Sequence, residues 1–404
     1  MERGKGERLD LDSLYYNRSS AKFLKAYRTF PILFNLTQRQ LEKKVVDDLR
    51  NGGTGIHREL YKAYSDNLQK AVGGVLNGGQ YGDKYFDLQQ QLQANVSRFA
   101  AFKAYHATQQ IDRQRADKDG VVRSDADYEK NARAVLNAFN RYQVAEHNTA
   151  MARARTAKQF TDFRADPVRN ELHPNLKWLP SRSANPREEH VKLYGIVLPK
   201  NHPFWQSNQP GNLWQCKCDI EETDEATFSG EIPKVRAQKG LEGNPADTGE
   251  IFTEQTTYLQ MSKSKRKEVD GLAFDIQKKQ TIENGKYLYE KTVKQKIEEN
   301  VPVEIEFNSR GLKHFADDMK NDSVFYLKNE MIHNLDKYIE NAEFVAYESN
   351  TKKVTKPTAE TYYYYKFKFA NGATGYLGVE KNSATGKYIL YTVTKKLRKT
   401  AISV

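Results

Sequence analysis

The sequence predicts a multi-domain protein: a mainly α-helical N-terminal region, a Trp- and Pro-rich loop module, and a small α+β domain with an antiparallel sheet. Three observations favour this fold class. Apolar residues recur with helical spacing early in the chain, prolines and tryptophans concentrate in its middle, and aromatic runs separated by turn residues fill its end. The predicted domains are a helical region over 1–130, the module over 131–225, a connector and charged helical tether over 226–300, and the α+β domain over 301–404.

The composition is polar but compatible with packed cores. The 404 residues are 38% hydrophobic and 29% charged, and they include 24 Tyr and 19 Phe, so global disorder is not expected. No apolar run is long enough to cross a bilayer, and the opening stretch MERGKGERLDLDS lacks the apolar segment of a signal peptide. We therefore expect no membrane partner.

The net charge of +12 is distributed unevenly. Residues 301–350 carry a net charge of −5, whereas residues 351–404 carry +9. A basic terminal segment of this kind predicts an affinity for RNA or DNA.

Four segments of the N-terminal part have helical patterns. The first, LTQRQLEKKVVDDLRNGG, has Thr37 and Gln40 at capping-box spacing and ends at paired glycines. The second is IHRELYKAYSDNLQKAVGG, and the third is DKYFDLQQQLQANVSRFAAFKAYHATQQI. The fourth runs from Ser124, as its N-cap, to the stretch TAKQF. We interpret their apolar stripes as the core of a helical bundle.

The segment from Pro167 to Pro210 has a different composition. It contains seven of the 12 prolines and two of the three tryptophans; the third, Trp214, follows directly. Proline at this density excludes long helices. The sequence predicts a compact, loop-rich module with a small aromatic core. Modules of this kind often need a disulfide or a bound metal ion for stability.

The last hundred residues predict two helices and a sheet. VPVEIEF is a candidate strand, and SRGLKHFADDM and LKNEMIHNLDKYIENA are candidate helices. EFVAYES, YYYYKFKFANGATGYLGVE and KYILYTVTKK are strand-like, with the turn signals ANGATG and NSATG between them. This order predicts an α+β domain.

Cys216 and Cys218 are the chain's two cysteines, and the residues alone leave several roles open. A disulfide across a single residue is strained, and redox pairs usually have the spacing C-x-x-C. Two thiolates with the nearby His190 and His202 match the ligand types of a tetrahedral Zn²⁺ site. Alternatively, both cysteines are small packed hydrophobes.

The middle of the chain resembles the phage Mu F-like minor head proteins. The segment LKWLPSRSANPREEHVKLYGIVLPKNHPFWQSNQPGNLWQCKCDI carries the pattern, and RYQVAEHNTAMARARTAKQF resembles the helix that enters this module. The matching residues are Trp178, Arg187, His190, Leu193, Gly195, Pro203, Phe204, Trp205, Pro210, Cys216, Lys217 and Cys218. Gln215 stands where the family has Asn, Lys217 where it has Arg, and Gly211 in place of one of two prolines.

This resemblance implies a role in head morphogenesis. The expected partners are the phage portal and inner capsid proteins, and the expected location is the inner head of a virion made in the bacterial cytoplasm. Some relatives carry Cys at the position of His190, which suits a metal ligand. We therefore expect a structural zinc on His190, Cys216, Cys218 and His202, or else a metal-free tryptophan core, and we assign Arg187 a salt-bridging or turn role.

The chain from Val301 resembles the barnase–EndoU–colicin–RelE-like nuclease domains found on phage head proteins. The resemblance implies metal-independent RNA cleavage with no catalytic cofactor, and an immunity protein as a partner. His314 can act as base or acid, while Lys313, Lys395 and the hydroxyls of Thr392 and Thr394 can contact phosphate. The residues predicted to bind nucleic acid are Tyr363, Tyr365, Lys366, Lys368, Lys396 and Arg398.

Two other interpretations remain open at this level. In the first, the C-terminal domain is a purely structural module that binds nucleic acid or capsid without catalysis, and His314 and the tyrosine run are ordinary helix and strand residues. In the second, the chain is a free-standing DNA-binding protein, although it has no helix-turn-helix or zinc-finger spacing.

Overall fold

The computed structural model describes residues 36–53, 55–351 and 358–403. They form two compact units. The first contains the described residues up to Asn77 together with Asn95–Val269, and the second contains Gly78–Ala94 together with the described residues from Asp270 onward. The predicted fold class is confirmed, because a helical N-terminal region precedes a domain with a largely antiparallel sheet.

The helices of the N-terminal region form where the periodicity predicts them. They are α1 (Leu36–Arg50), α2 (Arg58–Leu76), α3 (Phe86–Asp112), α4 (Asp125–Asn140) and α5 (Gln143–Ala165). Ser124 caps α4 by accepting a hydrogen bond from the Asp127 amide, as predicted. The side chain of Thr37, in the predicted capping box, lies outside the described residues.

The predicted fourth helix is two helices, because the chain turns at Arg141 and Tyr142 between α4 and α5. The Tyr142 side chain is fully buried at this turn. Helices α2 and α5 pack along each other. Among the described residues, no helix combines the length and apolar character needed to span a membrane.

The Pro-rich segment folds into the small aromatic module that its composition predicts. Its elements are α6 (Pro167–Leu172), β1 (Asn175–Leu179), α7 (Glu188–Val191), β2 (Val197–Pro199), α8 (Phe204–Ser207) and β3 (Asp219–Thr223). The three strands form an antiparallel sheet in the order β2-β1-β3. Trp178 and Trp205 stack with ring centroids 6.3 Å apart, within a core that includes Phe160 of α5.

The predicted connector is more ordered than its composition suggests. Leu241, Phe252 and Tyr258 are buried in the first unit, where the Phe252 ring stacks on Phe99 of α3 at 4.1 Å. This part contains the short helix α9 (Pro245–Thr248), and α10 (Lys263–Asn284) follows it. These turn-rich residues are held in place by buried aromatic contacts rather than by regular secondary structure.

The second unit contains a seven-stranded sheet in the order β10-β6-β7-β8-β9-β5-β4. Its helices are α11 (Ser309–Asp317), α12 (Phe325–Met331) and α13 (Leu335–Glu340). Its strands are β4 (Thr292–Lys296), β5 (Pro302–Glu306), β6 (Glu343–Ser349), β7 (Ala359–Lys368), β8 (Thr374–Asn382), β9 (Tyr388–Thr394) and β10 (Ile402–Ser403). Neighbouring strands are antiparallel except β5 and β9, which pair in parallel.

Two details of this unit differ from the sequence prediction. Strand β4 lies within the predicted tether, so the unit's sheet begins before residue 301. The predicted helix over LKNEMIHNLDKYIENA is divided by a 3₁₀ turn at Ile332–Asn334. The Asn334 amide hydrogen-bonds to the backbone at Gly79 and Tyr81, and this distant contact accompanies the break.

All four residues of the tyrosine run in β7 are buried, which corrects one expectation. Tyr363 and Tyr365, predicted to stack on bases, are 8% and 0% exposed and lie beside the Phe344 ring. Tyr362 and Tyr364 belong to a cluster on the sheet that Leu397 and Ala401 help to cover. Because both pairs are buried, neither Tyr363 nor Tyr365 presents an open ring face for a base.

Candidate functional site

Two segments of the Trp-rich module meet at His190, Cys216 and Cys218. His190 lies in the single turn of α7, and the cysteines lie in the turn that leads into β3. Gln215, just before Cys216, has a left-handed backbone conformation with φ of 59°. A positive φ favours Asn or Gly over most residues, and this is the position at which the resembling family has Asn.

The potential ligand atoms of these three residues lie within 4.8 Å of one another. His190 Nδ1 is 3.4 Å from Cys216 Sγ and 3.5 Å from Cys218 Sγ. His190 Nε2 is 2.8 Å from Asn212 Oδ1. Because the amide oxygen can only accept, Nε2 carries the proton and the Nδ1 lone pair faces the sulfurs.

The two thiols differ in burial and in the direction of their pKa shifts. Cys216 is buried, Cys218 is half-buried, and both are free of disulfides. A hydrogen bond from the Cys218 thiol, with a smaller contribution from the neighbouring His190, lowers the pKa of Cys216 well below the ordinary value. The same contact raises the pKa of Cys218.

A small pocket opens onto this cluster. Polar residues line its mouth, among them Ser181, Ser183, Asn185 and Lys217. Arg187, at the pocket wall, donates a hydrogen bond of 2.6 Å to the carbonyl oxygen of Trp214. It thereby ties the start of α7 to the cysteine-bearing turn, which agrees with the turn role expected for it.

His202 is not a member of this cluster. Its Nδ1 accepts a hydrogen bond of 3.1 Å from the amide of Phe204, at the start of α8. The structure therefore brings together three of the four residues predicted as zinc ligands. Sequence proximity suggested His202, but a local capping contact accounts for its ring.

Arg153 is a buried residue of this module that the sequence analysis did not single out. Its guanidinium, fully buried on α5, donates hydrogen bonds to backbone carbonyls. The acceptors are the carbonyl oxygens of Gly211, Leu241, Glu242, Gly243 and Glu250, at 2.7–3.5 Å. Gly211 has φ of 93°, and a Cβ there would lie 2.8 Å from the Arg153 side chain. The sequence did contain an indication of its importance, because Arg153 lies in the segment that resembles the helix leading into the Mu F-like module.

A second polar cluster lies in the C-terminal unit, where α11 packs on β9. A Cβ on Gly311 would lie 2.0 Å from the carbonyl oxygen of Leu390, so only glycine permits this approach. His314 consequently packs on the ring of Tyr391, with centroids 3.9 Å apart. Its Nδ1 is 3.4 Å from Oδ2 of Asp318.

Asp318 connects His314 to the last long strand. The same Oδ2 accepts hydrogen bonds from Thr392 Oγ1 at 2.6 Å and from the Val393 amide at 3.0 Å. Buried Lys328 donates to the carbonyl of Asp318 at 2.6 Å and fixes this end of α11. The structure thus brings together two predicted residues, His314 and Thr392, through a carboxylate that the sequence analysis missed.

Arg310 and Glu380 lie beside this cluster, and the sequence analysis missed both. Arg310 is one turn before His314 on α11 and also lies over the Tyr391 ring, at 5.4 Å. It pairs with Glu380 of β8, which is fully buried and has one carboxylate oxygen with no hydrogen-bond partner in the described part of the chain. Residues 70 positions apart meet here, so no sequence motif could have indicated the pair.

The remaining predicted residues of this unit have contacts of their own. Lys313, Lys395 and Lys396 are exposed. Lys395 pairs with Asp322 at 2.9 Å, and Thr394 Oγ1 donates to the carbonyl of Lys396 at 3.0 Å.

Three further predicted cations have acidic or hydroxyl neighbours. Lys366 lies 3.6 Å from a carboxylate oxygen of Glu343, and Lys368 donates to the Thr374 hydroxyl at 2.8 Å. Arg398 lies 3.6 Å from buried Glu348.

Comparison with known proteins gives partial matches. Residues 276–380 match the family model described as Large polyvalent protein-associated domain 3. Over 98 residues, the chain is 26% identical to protein F of Escherichia phage Mu, which is described as a capsid assembly protein; this covers 22% of each chain. Over 135 residues it is 22% identical to the Mu-like prophage FluMu F protein of Haemophilus influenzae, covering 32% of this chain and 31% of that protein.

No solved structure gives a significant match. The aligned stretches span less than a third of the length of either relative. The chain is therefore similar, over a limited part of its length, to the F proteins of phage Mu and of a Mu-like prophage.

Proposed function

We propose that this protein is a minor head protein that acts in phage head morphogenesis. The similarity to Mu-like F proteins carries the proposal, and the ordered Trp-rich module, whose residues also resemble that family, supports it. The partners would be the portal and inner capsid proteins, and the location would be the inner head of the virion.

The test uses the phage or prophage from which the gene comes. An epitope-tagged chain should co-purify with DNA-filled heads on a density gradient, and deletion of the gene should greatly reduce such heads. Arg153→Met, which removes the buried guanidinium of the module, should fail to restore them. His314→Ala, in the other unit, should restore them. Normal heads from the deletion strain, with no tagged chain in heads from the complemented strain, would contradict the proposal.

A second proposed activity, metal-independent endoribonuclease cleavage, belongs to the C-terminal unit. The grouping of imidazole, carboxylates and guanidinium where α11 packs on β9 favours it. In this reaction a base removes the 2′-hydroxyl proton, the 2′-oxygen attacks phosphorus, and an acid protonates the departing 5′-oxygen. His314 would serve as base or acid, and Arg310 would stabilise the phosphorane charge. Buried Glu380 would hold the Arg310 guanidinium in place. An immunity protein would be a further partner.

The activity is tested with the full-length chain and total RNA, with and without EDTA. Wild type should give products ending in 2′,3′-cyclic phosphate. His314→Ala should lower the rate by about 10²–10⁴-fold, and Glu380→Gln should also lower it. His333→Ala is the matched control, because this exposed histidine lies outside the cluster, and it should cleave like wild type. Folded wild type that leaves RNA intact would favour the alternative of a structural module that binds nucleic acid or capsid.

A further inference from the structure

The cluster in the Trp-rich module has the ligand set and spacing of a metal site. In a tetrahedral zinc centre, with ligands at about 2.3 Å for sulfur and 2.0–2.1 Å for nitrogen, the nitrogen and each sulfur are about 3.5 Å apart. His190 Nδ1 lies 3.4 Å from Cys216 Sγ and 3.5 Å from Cys218 Sγ. The separations along two edges of such a tetrahedron are thus already present.

Two surrounding contacts prepare these atoms for a cation. Asn212 Oδ1 accepts a hydrogen bond from Nε2 of His190 and so keeps the ring proton on that nitrogen. The lone pair of Nδ1 can then coordinate a metal. The amide of Cys218 lies 3.4 Å from Cys216 Sγ, in position to donate a hydrogen bond that stabilises a thiolate. A single Nδ1 lone pair cannot serve two thiols equally well, whereas a cation between the three atoms satisfies all of them.

The ligand types select the metal. Two thiolates and a neutral imidazole supply two negative charges, which balance a divalent ion in a buried site. Sulfur and nitrogen ligands in tetrahedral geometry suit Zn²⁺, whereas Mg²⁺ and Ca²⁺ require oxygen ligands. The ion would join His190 of α7 to the two cysteines in the turn before β3. It would thereby cross-link parts of the Trp-rich module that lie 26 residues apart in the chain.

We infer that this module binds one Zn²⁺ through His190, Cys216 and Cys218, with the fourth coordination position supplied by solvent at the adjoining pocket. Among the residues that the structure describes, the cluster holds three ligand residues, and His202 is engaged at the start of α8. The pocket beside Cys216 and Cys218 is lined by Ser181, Ser183 and Asn185, which leaves room for a water molecule. The inference requires neither head assembly nor RNA cleavage by this chain.

The first experiment measures zinc in the purified full-length protein by elemental mass spectrometry. Wild type should contain one zinc per chain. Cys218→Ala should weaken zinc binding at least 10–100-fold, measured by competition with a chromophoric chelator. His202→Asn is the matched control, because it keeps a capping acceptor at the same place and should retain zinc. Circular dichroism checks that each variant is folded.

The second experiment separates an open from a closed site. Co²⁺-substituted protein should show thiolate-to-cobalt charge transfer, and azide should alter its visible d–d bands by entering the fourth position. Folded wild type that takes up no zinc from excess would overturn the inference. Zinc loss in folded His202→Asn, or visible bands unchanged by azide, would overturn the three-ligand assignment.

Discussion

Arg153 shows how one side chain can organise irregular chain. Its guanidinium is fully buried, yet its acceptors are backbone carbonyls contributed by the stretch from Gly211 to Glu250. The planar fork of arginine matches several carbonyls at once, which a lysine ammonium does not. Besides its buried aromatic contacts, the turn-rich stretch is therefore held by a residue on a helix more than 50 positions earlier.

We predict that Arg153→Met lowers the free energy of unfolding by about 3–5 kcal/mol, because several buried carbonyls lose their charged donor. Arg153→Lys should recover only part of this loss. Urea unfolding followed by tryptophan fluorescence measures both. Arg155→Met is the control: Arg155 is exposed on the same helix, and its change should stay within about 0.5 kcal/mol. A similar small loss in Arg153→Met would contradict the organising role.

His106 predicts a pH dependence of stability. Its Nε2 lies 2.9 Å from the carbonyl of Tyr258, and burial lowers the pKa of His106 to about 4. The unfolded chain takes up this proton near pH 6.5, whereas the folded chain does so near pH 4. The contribution of neutral His106 to the free energy of unfolding is therefore complete above pH 6.5 and is lost as the pH falls toward 4. His106→Gln, which keeps a donor to Tyr258, should lose less stability between pH 7 and pH 4.5, measured by urea unfolding; equal losses would refute this.

At the scale of elements, helices α3 and α5 share a buried ion pair. Lys103 and Glu146 are bonded to each other and are almost inaccessible to solvent, and the Lys103 ammonium also lies 4.6 Å from the centre of the Tyr64 ring. Burial lowers the pKa of Lys103, and the carboxylate opposes that effect. Removal of either partner leaves an uncompensated charge between two helices.

We therefore predict that Lys103→Met and Glu146→Gln each destabilise the protein by about 3–5 kcal/mol. The double change Lys103→Met with Glu146→Gln should cost much less than the sum of these two single changes, because no charge remains buried. A double-mutant cycle in urea measures the coupling. Additive losses would show that the two side chains do not interact.

The elements also show what the sequence could predict. Helical periodicity located α1 to α5, and alternation located β5 to β9, since these patterns depend on local burial. The sheet is larger than expected because it includes β4, which the sequence analysis placed in the tether. This strand alternates as an edge strand does, with Val293 inward and lysines outward. It lies in a Lys/Glu-rich stretch whose composition is typical of a solvated helix. The break at Asn334 depends on partners more than 250 residues away, and no local pattern encodes it.

The candidate sites were predictable to different degrees. His190 and the cysteines could be predicted because rare residues stand in a recognisable order. His314 and Thr392 were predicted from chemistry, but Asp318, which joins them, was not. Arg310 and Glu380 were missed because their contact depends on the pairing of β8 with its neighbours and on the position of α11, which only the folded chain defines.

At the scale of the whole molecule, all three tryptophans lie in the first unit. Tryptophan emission therefore reports on that unit, whereas amide exchange in β7 and β8 reports on the second. We predict that a strong chelator lowers the thermal midpoint seen by tryptophan emission, because a metal bound to the native state stabilises it. Exchange in β7 and β8 should be unchanged. Readded Zn²⁺ should restore the midpoint and Mg²⁺ should not; a midpoint insensitive to chelation would contradict the prediction.

The second unit is assembled from two separated stretches, Gly78–Ala94 and the described residues from Asp270 onward. Gln90 and Gln91 of the early stretch bond to Tyr338 and to the carbonyl of Ala370. A ribosome makes the early stretch first and must then translate Asn95–Val269 of the first unit. At bacterial rates of about 5–20 residues per second the later partners therefore follow roughly 12–56 s afterwards. Any activity that requires the completed sheet is therefore absent from nascent chains, and it begins after the first unit has had time to fold.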